Sequence, residues 1–269
     1  MPSINDNLAQ WDSYSWEHGG EEWSEPWGTS AYQWSITIYP RLIGVFPAYR
    51  IVEIAPGFGR WTPFLLGESS FYVGIDISPR CISFCQRTFG RIPNRPRFLV
   101  GDGTSLPGVE DALTDLVFSF DSLVHAELDC LSAYASEIHR VLRPGGYAFI
   151  HHSNMGEHAS GTSNPGWRGV TVSAESAGRE FMAAGLQVIT QETIPWVFGE
   201  VLTDCFSLLR RPFPGEQLSS GRQVINKTFF RECELASQLA SVYQPELSSR
   251  AGTPMPMRSG APSSGEVSE

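Results

Sequence analysis

The chain of 269 residues contains no run approaching the ~20 consecutive apolar residues of a membrane-spanning helix, so no membrane partner is expected. It also lacks basic clusters: 19 lysines and arginines face 29 acids, for a net charge of −10. A protein that grips a polyanion needs basic groups against the phosphates, so nucleic acid is not the expected partner. The start, Met1-Pro2-Ser3-Ile4-Asn5-Asp6, lacks the charged and apolar segments of a secretion signal. Five cysteines without metal-type spacing argue for a reducing compartment, and a cytoplasmic location is the expectation. Cys81 and Cys85, four apart on one helical face, read as buried small hydrophobes. What remains is a globular composition, 41% hydrophobic, long enough for one domain with extensions and free of internal repeats.

One further absence chooses between ligands. In Val52-Glu53-Ile54-Ala55-Pro56-Gly57-Phe58-Gly59-Arg60 an apolar run carries an acid and then enters a turn with two glycines. Arg60-Trp61-Thr62 follows where a dinucleotide site would place its third glycine. Glu53, just before the turn, would repel a pyrophosphate and suits a ligand carrying positive charge. A second strand-like run ends in Ile75-Asp76, where a carboxylate can accept hydrogen bonds from a ribose. Together they describe a nucleotide-type cofactor lying across the carboxyl ends of two parallel strands.

On these residues the chain resembles class I S-adenosylmethionine-dependent methyltransferases. Glu53-x-Ala55-x-Gly57-x-Gly59 is similar to the family's first motif, with Ala55 in place of its first glycine. Tyr72-Val73-Gly74-Ile75-Asp76-Ile77-Ser78 resembles the second strand with its ribose-binding acid. Phe98-Leu99-Val100-Gly101-Asp102-Gly103 resembles the third strand and the acid that contacts the adenine amine. Leu142-Arg143-Pro144-Gly145-Gly146-Tyr147 resembles the turn before the fifth strand. These stretches stand in the family's order, from about residue 45 to about residue 195, and the ordered set is far more specific than any one of them. The resemblance implies S-adenosylmethionine as cofactor. Glu53, Ala55, Gly57, Gly59 and Arg60 would meet its methionine end, with Arg60 facing the carboxylate. Asp76 would take the ribose hydroxyls, Ile77 would pack on the adenine, Asp102 and Gly103 would read its edge, and Phe120 would border the site.

From Arg50 onward the chain alternates strand and helix, the pattern of a doubly wound α/β fold. Strands are expected at Ile51–Ala55, Tyr72–Ile75, Arg97–Val100, Asp115–Phe120, Tyr147–His151, Leu186–Glu192 and Phe206–Arg210. Helices are expected at Thr62–Leu66, Pro79–Phe89, Ala126–Val141 and Ala174–Ala184. The resemblance implies a Rossmann-like sheet of seven strands, mostly parallel, with the last strand antiparallel. Trp11, Trp16, Trp23, Trp27 and Trp34 put five of the eight tryptophans into residues 1–44, read as an aromatic-rich cap over the cofactor site. Residues 45–243 form the catalytic domain, with a helix expected within Gly221–Tyr243. Residues 244–269, rich in Pro, Ser and Gly, read as a disordered tail.

Ligands of an open parallel sheet sit outside the carboxyl ends of its strands. There Phe118–His125 leaves the fourth strand and Ile150–Asn154 ends the fifth. His152, His151 and Asp121 are the expected catalytic residues, with a histidine as general base and a lean toward His152. Asp121 is also the one candidate ligand for Mg²⁺, a metal that some methyltransferases of sugars and catechols use. Trp23, Trp27, His125, Asn154, His158, Trp167 and Arg168 are expected to contact the acceptor.

The expected reaction is O-methylation of a small polar acceptor, with a saccharide favoured because the strand-end residues resemble bacterial methyltransferases of glycan pathways. The alternatives are N-methylation of a small amine, NAD-dependent oxidation on the same sheet, and a silent cofactor-binding scaffold. The sequence leaves the oligomeric state open, a homodimer included.

Overall fold

A computed structural model of the chain describes residues 3–92, 96–158, 167–196 and 199–243. The expected disordered tail, 244–269, lies outside the described residues. Among the described residues eight strands form one sheet: β1 (Arg50–Ile54), β2 (Phe71–Asp76), β3 (Arg97–Val100), β4 (Thr114–Ser119), β5 (Leu142–Ser153), β6 (Gln187–Ile194), β7 (Asp204–Arg210) and β8 (Arg222–Ile225). Their order across the sheet is β3-β2-β1-β4-β5-β7-β6-β8. All described pairings are parallel except those of β7, which runs against both β5 and β6. The chain crosses from β1 outward to β3 and then returns to β4. That reversal opens a crevice at the carboxyl ends of β1 and β4.

The sheet is covered on both faces, as a parallel sheet must be. Ile51, Phe118, Phe149 and Phe206 point into one apolar layer, which also holds Trp34, Ile38 and Leu42. Their strand neighbours Val52, Val117, Ala148 and Ile150 point into the other, against Leu131, Ala135, Ile138 and Phe181. The helices, in chain order, are α1 (Ile4–Ser13), α2 (Ser30–Gln33), α3 (Tyr39–Leu42), α4 (Thr62–Gly67), α5 (Pro79–Phe89), α6 (Leu128–Val141), α7 (Ala174–Ala183) and α8 (Phe230–Tyr243). A 3-10 turn at Glu21–Trp27 and a π-helical turn at Trp34–Ile38 complete the N-terminal region. That region therefore does two things. Its second half is a core layer, with Ile38 and Leu42 fully buried, whereas α1 buries no residue and lies across the crevice.

The sheet has eight strands rather than the expected seven. Gly221, at φ +67°, turns the chain along β6, and a Cβ there would stand 2.3 Å from the Val188 carbonyl oxygen. Arg222–Ile225 then pairs with Thr190–Thr193, so the helix expected within Gly221–Tyr243 begins only at Phe230. The antiparallel strand lies where expected, but it is no longer the last. Among the described residues no helix is long and apolar enough to cross a membrane.

Candidate active site

A cavity of about 600 Å³ occupies the crevice. Its first half is made by strand ends and the turn after β1. Ala55 adopts φ +56°, its N–H donating to the Ile75 carbonyl (2.7 Å) and its carbonyl accepting from Ser122 Oγ (3.0 Å). Gly57, at φ +58°, donates its N–H to Asp76 Oδ2 (3.0 Å), and Ser78 N–H donates to Oδ1 (2.8 Å). Asp76 thus borders the cavity with both oxygens oriented by backbone. Burial pushes its carboxyl up to about 6, and those two N–H groups restrain the rise. Ile77 and Gly103 line the same end, where a Cβ on Gly103 would meet Ile4 at 2.8 Å.

The second half is aromatic. Trp23, Trp27, Trp61, Phe120, Trp196 and Phe229 wall it. Arg60 lies with its guanidinium 4.6 Å from the Trp61 ring and 5.4 Å from the Trp23 ring. It donates to Asp121 Oδ2 at 2.7 Å and to Ser24 Oγ at 3.3 Å. Asp121 sits at φ +58°, an uncommon conformation for a residue with a side chain. Its N–H donates to His151 Nδ1 (3.1 Å), and His151 Nε2 is 3.0 Å from Asp204 Oδ2. Arg168, which borders the cavity, completes the chain with two bonds to Asp204 of 2.5 and 2.8 Å. Burial opposes the charge of Asp204, yet Arg168 and His151 hold its carboxyl far below the usual range.

Several expected site residues lie elsewhere. His152 is fully buried on the opposite face of β5, because successive strand residues alternate. Its ring nitrogens meet the Ser153 carbonyl and Ser207 Oγ, both at 2.8 Å, and its ring packs on Phe181. Burial pulls its pKa down to about 4, and it does not line the cavity. His151 faces the correct side but is also fully buried, wedged between Phe120, Trp196 and Phe206 with both nitrogens bonded. It stands behind the cavity wall. Glu53 is buried away from the cavity, accepting from Thr62 Oγ1 (2.9 Å) and from the Tyr72 hydroxyl, and burial pushes it up to about 7. The close approach that Gly59 permits is to Phe89, 2.4 Å from a Cβ placed there.

Asp102 folds onto its own turn, accepting from the N–H groups of Thr104 (2.8 Å) and Ser105 (2.7 Å). The Thr104 N–H leads in lowering its carboxyl to about 2. Asn154 is buried, bonding the Leu202 carbonyl and the Ala174 N–H, and His158 reaches the Leu202 carbonyl at 3.3 Å; neither lines the cavity. Asp121 has no cluster of metal-binding side chains around it, since no group of three or more occurs among the described residues, and its carboxylate is committed to Arg60.

His125, expected only to touch the acceptor, is the histidine that lines the cavity. Its Nδ1 is 2.9 Å from the Trp167 carbonyl oxygen. A carbonyl only accepts, so Nδ1 carries the proton and Nε2 is left as the proton acceptor. Burial lowers its pKa, which favours that neutral form. Trp23, Trp27, Trp167 and Arg168 also border the cavity, as do Ile4, Asn7 and Trp11 of α1 and Phe229, Phe230 and Cys233 near or on α8. Sequence motifs offered no signal for these last groups. Only the density of tryptophan before residue 44 hinted at the first.

Comparison with known proteins agrees with this architecture. Residues 51–146 match the family model described as a methyltransferase domain. Phosphoethanolamine N-methyltransferase 1 of Triticum aestivum is 29% identical over 128 residues, 46% of this chain and 25% of that protein. A probable phthiotriol/phenolphthiotriol dimycocerosates methyltransferase 2 of Mycobacterium ulcerans is 33% identical over 105 residues, 36% of this chain and 37% of that protein. The matched stretch spans between a quarter and just over a third of these relatives. Among solved structures, a methyltransferase from Methanosarcina mazei superposes with TM-score 0.52 at 16% identity, covering 65% of this chain and 99% of that one. The [4+2]-cyclase SpnF superposes with TM-score 0.53 at 19% identity, covering 68% and 81%. The fold is therefore the Rossmann-like fold of methyltransferases, and SpnF shows that this fold alone does not fix the reaction.

Proposed function

We propose that this protein transfers a methyl group from S-adenosylmethionine to a hydroxyl of a small polar acceptor, with a saccharide favoured. The observation that carries the reading is one continuous cavity. At one end it holds Asp76 and the turn after β1; at the other, aromatic walls with Asp121 and Arg168. The residues present suit the cofactor. Asp76 offers two oriented carboxylate oxygens to a ribose and Ile77 an apolar surface to an adenine, while Ala55 and Gly57 line the same space beside the Trp16 indole. Bound there, S-adenosylmethionine supplies an electrophilic methyl carbon on a sulfonium. Indole planes suit the apolar faces of a sugar, while Asp121 and Arg168 border the same space. His125 takes the role of general base. The acceptor's hydroxyl proton passes to Nε2 as the new carbon–oxygen bond forms and the carbon–sulfur electron pair stays on sulfur. The imidazolium keeps its Nδ1–H on the Trp167 carbonyl.

A second reading, N-methylation of a small amine, has its own support. The wheat relative is named as an N-methyltransferase, and the aromatic half already holds a guanidinium between two indoles. The test begins with calorimetric titration of S-adenosylhomocysteine. Wild type should bind, and Asp76→Ala should lose about a hundredfold or more in affinity, as expected when a two-point charged contact is removed. Binding of NAD instead would defeat the reading. Acceptor panels of methyl glycosides and of ethanolamine derivatives, assayed by S-adenosylhomocysteine release, then separate hydroxyl from amine. His125→Gln should lower turnover of a hydroxyl acceptor about a hundredfold or more. Full turnover by that variant would remove His125 from the chemistry.

A further inference from the structure

Helix α1 buries none of its own residues, yet it supplies Ile4, Asn7, Gln10 and Trp11 to the cavity wall. It is held by polar contacts at both ends of the crevice. Over the first half, Asp12 accepts from Ser78 Oγ (2.6 Å), and Arg80 donates to the carbonyls of Asp12 and Tyr14 (2.8 Å each). Over the second half Asn7 makes two polar contacts, beside the packing of Trp11 on Trp23 and His125. Asn7 Nδ2 donates to the backbone carbonyl of His125 (3.0 Å), and Asn7 Oδ1 accepts from Trp167 Nε1 (3.3 Å). Turning this amide over would oppose donor to donor and acceptor to acceptor, so its orientation is determined by its two partners. Trp167 in turn adopts φ +60° and presents its carbonyl to His125 Nδ1. The Trp11 ring closes over the imidazole at 5.0 Å.

We infer that Asn7 is a positioning residue: it ties α1 to both Trp167 and His125, so that docking of α1 over the cavity fixes the Nδ1–H tautomer that makes Nε2 a proton acceptor. This rests on the methyl-transfer reading with His125 as base. A free imidazole prefers its proton on Nε2, which would leave the wrong nitrogen basic. The Trp167 carbonyl reverses that preference while the left-handed Trp167 peptide is held in place. Arg168 on Asp204 and the Gly169 N–H on the Val124 carbonyl (2.8 Å) hold its far side, and the Asn7 bond to the indole holds the near side. The consequence is that the base is assembled only with the N-terminal helix closed.

The experiment is imidazole ¹⁵N spectroscopy of the full chain, labelled at histidine, with and without S-adenosylhomocysteine, the His125 signals being identified by their loss in His125→Gln. Wild type with S-adenosylhomocysteine should show His125 protonated at Nδ1. Asn7→Ala, on a helix with no buried residue, should fold normally and shift His125 to a mixture dominated by the Nε2–H form. Trp167→Phe, which removes the indole N–H together with the pyrrole ring, should give the same shift. The double variant should add little, because both break one chain of contacts. An unchanged Nδ1–H tautomer in Asn7→Ala and Trp167→Phe would overturn the proposal while leaving the cofactor assignment intact. Failure of S-adenosylhomocysteine to bind wild type would instead remove the methyl-transfer reading on which it stands.

Discussion

The two halves of the cavity are built by different means. The half around Asp76 is made of main chain held at the ends of adjacent strands: Gly57 N–H and Ser78 N–H orient the carboxylate, and the Ala55 peptide is bonded on both sides. The half around Asp121 is made of side chains drawn from distant parts of the chain. Arg60 comes from the turn after β1, Trp23 and Trp27 from the N-terminal region, Trp196 from the end of β6, and Phe229 from just before α8. Backbone scaffolding suits a ligand whose shape is constant. Side chains packed from separate segments suit one that differs between proteins sharing the sheet, because each segment can change without disturbing the strands.

The sharpest way to break this comparison is Asp204→Asn. Asp204 is fully buried between Arg168 and His151, so neutralising it removes the buried carboxylate charge that both of them contact. Removing one member of a buried pair costs about 3–5 kcal/mol, read as a lower midpoint in urea unfolding. If the halves are separate structures, the folded fraction should still bind S-adenosylhomocysteine within a few-fold of wild type while acceptor turnover collapses. Loss of both functions together would show that the halves are a single unit.

The same division explains what the sequence disclosed. Strand ends and turns are local, so a few consecutive residues announced Asp76, Ile77 and the turn at Ala55–Gly57. The sheet was legible for the same reason, since apolar runs such as Ile51–Ile54 and Leu116–Phe118 read directly as buried strands. Failures followed when a residue's type was right but its direction was not. His151 and His152 differ by one position and therefore by a whole face, and neither reaches the cavity. Asp102 lies just past the end of the third strand, where its carboxylate accepts from the two N–H groups that follow and does not line the cavity. Asn7 and Trp167 are 160 positions apart, and β8 depends on a crossing that Gly221 makes possible. No periodicity encodes such meetings. They arise when the whole chain has closed.

A smaller effect tests the first half alone. Glu53 belongs to the motif but not to the cavity, and burial pushes its carboxyl from 4.5 to about 7. A carboxyl whose folded pKa is raised binds a proton more tightly in the folded state than in the unfolded one. Its contribution therefore favours folding below about pH 4.5 and is progressively lost as pH rises through 7, by on the order of 3 kcal/mol. Asp76, raised from 3.8 to about 6, acts in the same sense over a lower window. Glu53→Gln cannot deprotonate, and its amide oxygen can still accept from Thr62 Oγ1 and the Tyr72 hydroxyl. The variant should lose the part of the slope lying around pH 7, above the midpoint of Asp76, which is by then mostly ionised in both states. Urea unfolding of both proteins from pH 5 to 8 reads this directly, and an unchanged slope above pH 6 would place the titration on another group. Cofactor affinity at pH 8 should change little, because the Glu53 carboxylate is bonded within the core while Asp76 borders the cavity. A large loss of S-adenosylhomocysteine binding in Glu53→Gln would instead mean that the conformation of the turn after β1 depends on the charge behind it.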